Sequence, residues 1–134
     1  MSAESNTATV KSIYEAFGRG DARTILDALS DDVDWATETT STAAPWYGPH
    51  QGKAEVGAFF EQYGSSVETD EFMPTSFAAN DSEVLTVVRL RARVRATGQP
   101  VTMDLHHRFT FRDGKVVHYR GSEDTAQVAA AFGA

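Results

Sequence analysis

Apolar residues recur along this chain first at helical and then at alternating spacing. Val10, Ile13, Tyr14 and Phe17 stand at i, i+3, i+4 and i+7, which predicts an amphipathic helix over 7–18. Asn6 or Thr7 can cap its start, and Gly18 or Gly20 can end it. Asp21 is placed to cap a second helix with Ile25, Leu26 and Leu29 on its buried stripe. Residues 32–38 alternate, with Val33, Trp35 and Thr37 on one face and Asp34, Ala36 and Glu38 on the other, so they read as a short strand. A loop over 39–52, rich in Ser, Thr, Pro and Gly, still carries Trp46, Tyr47 and His50. Helical spacing returns in Val56, Phe59, Phe60 and Tyr63, predicting a third helix over 53–63.

From there the period is that of strands. A weak strand broken by Pro74 covers 72–78, and longer ones cover 83–95, 101–112 and 115–122. Asn80-Asp81, Thr97-Gly98 and Asp113-Gly114 supply the turns of an antiparallel meander. A short alanine-rich helix closes the chain over 124–132, with Asp124 as N-cap and Gln127 at the capping-box position. Helices followed by strands predict a single α+β domain over 1–134, its helices on one side of a mostly antiparallel sheet. Alternation fixes the faces. Arg89, Arg91, Arg93 and Arg95 share one side of their strand, opposite Val88, Leu90, Ala92 and Val94. In the next strand Asp104, His106 and Arg108 oppose Leu105, His107 and Phe109, so His107 is expected to point inward and His106 outward.

Composition narrows the chemistry. The chain has no cysteine, which removes disulfides, thiolate nucleophiles and cysteine-ligated metal sites. Its formal charge of −7 opposes nucleic acid and anionic membranes as partners. No apolar run approaches a membrane span and no basic-then-apolar leader is visible, so a cytoplasmic location is expected. No nucleotide, flavin or metal motif is present, so a cofactor-free reaction is the consistent form.

Three stretches carry a family resemblance. VKSIYEAFGRGDARTILDALSDDVDW, GPHQGKAEVGAFF and HRFTFRDGKVVHYRGSEDTAQV resemble the opening, the loop-to-third-helix segment and the closing hairpin of the SnoaL-like branch of the nuclear transport factor 2-like superfamily. The resemblance implies a cone-like curved sheet with three main helices enclosing a cavity, and a homodimer formed through the sheet. It also implies kinship with ketosteroid isomerase, scytalone dehydratase, limonene epoxide hydrolase and polyketide cyclases, a range over which the fold does not fix the activity. By position, Ile13 stands where the steroid isomerase has its tyrosine, and Tyr14 lies one step further round the helix. Thr37 falls at the catalytic-base position and His107 at that of the protonated acid, so isomerisation by that residue set is not expected. Gly121 stands where the epoxide hydrolase has an aspartate, which argues against that chemistry also.

His107 is the candidate acid–base residue, because an imidazole on an apolar face beside a cavity can move protons near neutral pH. The plain alternative is a core histidine held by a hydroxyl or a carbonyl. Tyr14, Trp35, Thr37, Trp46, Tyr47, His50, Tyr63 and Asp124 are the candidate binding residues. Against them stand ordinary core packing for the aromatics, an exposed loop position for His50 and a pure cap for Asp124. No metal site is expected. The arginine row of the long strand is expected to pair with acids such as Asp104. The expected function is binding of an apolar cyclic or aromatic small molecule, with cofactor-free isomerase, cyclase or dehydratase chemistry. A non-catalytic binding or protein-interaction module of the same fold is the alternative.

Overall fold

The computed structural model describes residues 2–133. Its first helix, α1 (Ala3–Gly18), begins ahead of the predicted start because Ser2 and Ser5 form a reciprocal capping box. The Ser5 amide donates to the Ser2 hydroxyl oxygen at 3.1 Å, and the Ser2 amide donates to that of Ser5 at 2.9 Å. Asn6 is therefore no cap. It is buried, and its side-chain amide donates to the Asp81 carbonyl at 3.1 Å, tying α1 to a turn of the sheet. Asp21 caps α2 (Ala22–Asp27) through the Thr24 amide. Leu29, expected on that helix, instead opens β1 (Leu29–Thr37).

The segment read as a loop contains a two-residue strand, β2 (His50–Gln51), which pairs with Asp34 and Trp35 of β1. Helix α3 (Gly52–Ser66) then leads directly into β3 (Val67–Ala79), longer than its sequence pattern indicates. The reason lies in β4 (Glu83–Val94), whose arginines neutralise the acidic half of β3. Arg91 meets Glu71 at 3.2 Å, and Arg93 meets Glu68 at 3.1 Å and Asp70 at 3.0 Å. Arg89 pairs with Asp104 at 3.5 Å, as expected. Exposed pairs of this kind contribute little individually, but they accommodate a polar strand at the sheet margin. Strand β5 (Pro100–Arg112) turns through Asp113 (φ 53°) and Gly114 (φ 79°) into β6 (Lys115–Ser122). The left-handed values of both residues fit a tight hairpin turn. Helix α4 (Thr125–Ala131) closes the chain.

The strands form one six-stranded open sheet in the order β2-β1-β6-β5-β4-β3. Every pairing is antiparallel except β1 with β6, which run parallel. The inner face, covered by α1 and α3, holds the core, including Val33, Val84, Val88, Phe109 and Val116. This is the α+β architecture with a curved, mostly antiparallel sheet. Among the described residues no helix is long and apolar enough to cross a membrane.

Candidate functional site

Strand register assembles the site. Thr86 of β4 is the Cα partner of His107 of β5, His107 that of Gly121 of β6, and Gly121 that of Thr37 of β1. Four strands thus place Thr86, His107, Gly121 and Thr37 in one rung on the inner face. The adjoining rung is apolar: Val84, Phe109, Tyr119 and Trp35. Trp35 and Tyr119 stack at 3.8 Å between centroids, 18° from parallel. Gly121 is a spatial requirement. A Cβ built on it would lie 2.5 Å from the Tyr119 hydroxyl oxygen and 3.3 Å from the His107 ring, so the missing side chain lets the phenol lie across the strand beside the imidazole.

Tyr14 of α1 reaches this rung from above. Its hydroxyl is 2.6 Å from Thr86 Oγ1 and 2.8 Å from His107 Nδ1. Two proton arrangements are conceivable, and counting buried donors separates them. If His107 Nδ1–H donates to Tyr14 and Tyr14 to Thr86, the Thr86 hydroxyl proton has no acceptor. If Thr86 donates to Tyr14 and Tyr14 to His107 Nδ1, both hydroxyl protons are used. The second arrangement spares buried Thr86 an unsatisfied donor, a cost of about 1–3 kcal/mol, and leaves the unpaired donor on His107, which is less buried and lines the cavity. It leaves His107 as the neutral tautomer whose Nε2–H has no hydrogen-bond partner among the described residues. Burial, reinforced by the charge of His106, lowers the His107 pKa to about 3, so the imidazole is neutral near pH 7. Burial also pushes the Tyr14 phenol well above its usual value.

The end of β6 supplies a carboxylate. Glu123 lies just beyond β6 and accepts a 2.7 Å hydrogen bond from the Tyr47 hydroxyl. Burial raises its pKa, and the Tyr47 bond opposes that rise. Glu123, His107 and Tyr119 line one cavity of about 80 Å³, walled by Phe17, Trp35, Trp46, Phe60, Tyr63 and Phe72 among others. At ~15 Å³ per water this is room for roughly five waters, or for a small ring. Among the described residues no Lys or Arg side chain lines it. Burial pushes the Tyr63 phenol up to about 12 and that of Tyr119 well above its usual range. The Tyr119 hydroxyl has no hydrogen-bond partner in the protein among the described residues. At neutral pH the enclosure thus offers neutral donors, Tyr119 O–H and His107 Nε2–H, and one ionisable acid.

Of the residues singled out in the sequence, His107, Tyr14, Trp35, Thr37, Trp46 and Tyr63 line the cavity. Tyr47 stands behind the wall, where it holds Glu123. His50 is not an exposed loop residue: it is buried in β2, within 3.0 Å of the Trp46 carbonyl through Nε2, and packs edge-on against Phe59. Asp124 does not line this cavity. It is exposed and caps α4, accepting from the Gln127 amide at 3.1 Å. Its neighbour Glu123 faces the cavity instead. Glu123, Tyr119 and Thr86 were not anticipated. The signal for Glu123 was present, since Tyr119, Gly121 and Glu123 continue the period-two alternation past the predicted strand end. Among the described residues no group of three or more His, Asp or Glu side chains is placed to hold a metal ion.

The curved sheet and its covering helices thus border an apolar pocket with a few convergent polar groups. The SnoaL-like domain model matches residues 10–119, and the chain belongs to that family. An NTF2-like protein of Burkholderia xenovorans superposes with a TM-score of 0.88 at 30% identity, over 98% of each chain. TerC, crystallised with polyporic acid, gives 0.86 at 21% identity, over 97% of this chain and 99% of TerC. A candidate polyketide cyclase of Xanthomonas campestris gives 0.76 at 19% identity, over 97% and 98%. No curated protein sequence matches the chain.

Proposed function

We propose that this protein is a cofactor-free acid–base enzyme acting on an uncharged cyclic or aromatic carbonyl compound, as an isomerase, cyclase or dehydratase does. The observation that carries the reading is one apolar cavity lined by both Glu123 and His107, the latter held through Nδ1 by Tyr14. In this reading the Glu123 carboxylate takes a proton from the carbon beside the carbonyl. The electron pair passes to the carbonyl oxygen, and the enolate accepts hydrogen bonds from His107 Nε2–H and the Tyr119 hydroxyl. The protonated Glu123 returns the proton to another carbon. His107 acts as a neutral donor, because burial keeps it from becoming an imidazolium. The kinship of fold with a candidate polyketide cyclase and with TerC crystallised with polyporic acid is consistent with a ring-shaped ligand.

The test is proton exchange. Cyclic ketones and cyclohexenones incubated in deuterated buffer, followed by NMR, should exchange their α-protons faster with wild-type protein than with Glu123→Gln or His107→Ala. Ligand binding without exchange by any compound would turn the reading into that of a non-catalytic binding protein.

The outer face of the sheet is proposed to pair with a second copy. Leu85 and Met73 remain 49% and 54% exposed there, amid the ion pairs of β3 and β4. Light scattering should give twice the chain mass for wild type and less for Leu85→Glu; a wild-type monomer would reject the pairing.

A further inference from the structure

The sole acid of the cavity has no cation beside it. The nearest hydrogen-bonding group to the Glu123 carboxylate is the neutral Tyr47 hydroxyl, and among the described residues no Lys or Arg side chain lines the enclosure. A buried carboxylate is ordinarily paired, because an isolated one is expensive. The basic residue nearest along β6, Arg120, faces the other side of the sheet and is already paired with Asp34 at 2.9 Å and Glu38 at 3.5 Å. A groove between α1, α3 and β3 shares Tyr14, Phe17, Phe60, Tyr63 and Phe72 with the cavity, and its acids Asp21, Asp70 and Glu71 are already paired with Arg19, Arg93 and Arg91, so the charge that decides lies in the cavity itself.

We propose that the cavity is a charge filter: it takes uncharged ring compounds as substrates, binds their ammonium-bearing analogues as tight inhibitors, and rejects carboxylate and phosphate anions. The inference rests on the reading of the cavity as the substrate site with Glu123 as its base. An anion would meet the Glu123 carboxylate in a low-dielectric cavity that, among the described residues, has no Lys or Arg lining to compensate it. An ammonium ion would meet the opposite conditions. The aromatic faces at the cavity mouth attract it, and Glu123 supplies the counter-ion. A paired Glu123 is quenched as a base, so such a ligand inhibits. Discrimination arises mainly from the repulsive element. A further consequence concerns what precedes this protein: the reaction that supplies its substrate must deliver a neutral ring compound, already freed from any phosphate- or carboxylate-bearing carrier.

The experiment uses three matched probes, cyclohexylmethylamine, cyclohexylmethanol and cyclohexanecarboxylate, with dissociation constants from calorimetry or thermal shift. The expected order is ammonium tightest, alcohol next and carboxylate weakest, each step about tenfold, the equivalent of one decade of affinity. Glu123→Gln, which keeps an oxygen for Tyr47, should collapse the order. A second readout needs no variant. Lowering the pH through the raised Glu123 pKa should weaken the ammonium and spare the alcohol, since Tyr14, Tyr47, Tyr63 and Tyr119 around it stay neutral, as does His107 until about pH 3, and Asp124 lies outside the wall. Carboxylate binding equal to that of the alcohol, no binding of the ammonium, or an order unchanged in Glu123→Gln would each overturn the proposal. Binding is read without turnover, so failed ketone exchange alongside the expected order would reject the proton-transfer reading alone.

Discussion

The Tyr14 hydroxyl stands 2.8 Å from His107 Nδ1, joining the first helix to the middle of the sheet at the rung that also holds Thr86, Gly121 and Thr37. That contact decides which nitrogen of His107 faces the cavity. Tyr14→Phe removes the donor and strands the Thr86 hydroxyl, a cost of about 1–3 kcal/mol in stability. It also frees His107 to change tautomer. Nitrogen NMR of His107 should show Nε2–H in the wild type and a mixture in the variant, while Thr86→Val should leave the imidazole signals closer to wild type. An unchanged spectrum in Tyr14→Phe would break the link.

His107 also predicts a pH dependence. Burial holds its folded pKa at about 3, below the ordinary imidazole value of 6.5. The unfolded chain therefore binds a proton that the folded chain refuses between those values. Stability is full above about pH 6.5 and falls as pH drops toward 3. Glu123 has a raised pKa and works the other way, gaining stability as the pH falls through it. Denaturant midpoints from pH 7 to 4 should decline in wild type and decline less in His107→Gln. Parallel curves would mean that His107 is solvated.

Gly121→Ala should be more damaging than its size indicates. The added methyl collides with the Tyr119 hydroxyl and presses on His107. A cost of about 1–3 kcal/mol is expected, as for overpacking elsewhere. Tyr119→Phe in the Gly121→Ala background should recover part of it, because the oxygen is the atom in closest conflict. Failure to recover any stability would place the strain in the backbone or at His107.

Asp124→Ala serves as a control. Loss of the α4 cap should cost about 1 kcal/mol and leave ligand affinity unchanged. Tyr47→Phe should do the reverse, with a modest change in melting temperature and a rise in the Glu123 pKa visible as a shifted pH profile of binding. An affinity loss in Asp124→Ala would return that residue to the site.

Much of the scaffold was legible because period-two and helical spacing are local. The inward phase of His107 needed only Leu105, Phe109 and Phe111 beside it. What escaped depended on partners distant in sequence. The residues 67–71 look like a solvated turn until the β4 arginines are set opposite them. Ser2 and Ser5 form a capping box without the usual Glu or Gln, so α1 begins earlier than its apolar stripe. Thr86 reads as any β-branched strand residue until Tyr14 reaches it. Glu123 was hidden by its neighbour. Asp124 is a recognisable cap and ended the strand in the reading, although the alternation through Tyr119 and Gly121 runs one step further.

The sheet that builds the cavity never closes on itself, so two margins of unpaired backbone remain available to neighbouring chains. One belongs to β2, only two residues long and too short to template another strand. The other belongs to β3, where Pro74 removes one amide donor and register shifts beside Thr69 and Ser76 bend the ladder. Both margins thereby resist amyloid-like extension. Replacing Pro74 with a β-branched residue would straighten and complete that margin, trading colloidal solubility for a more regular strand.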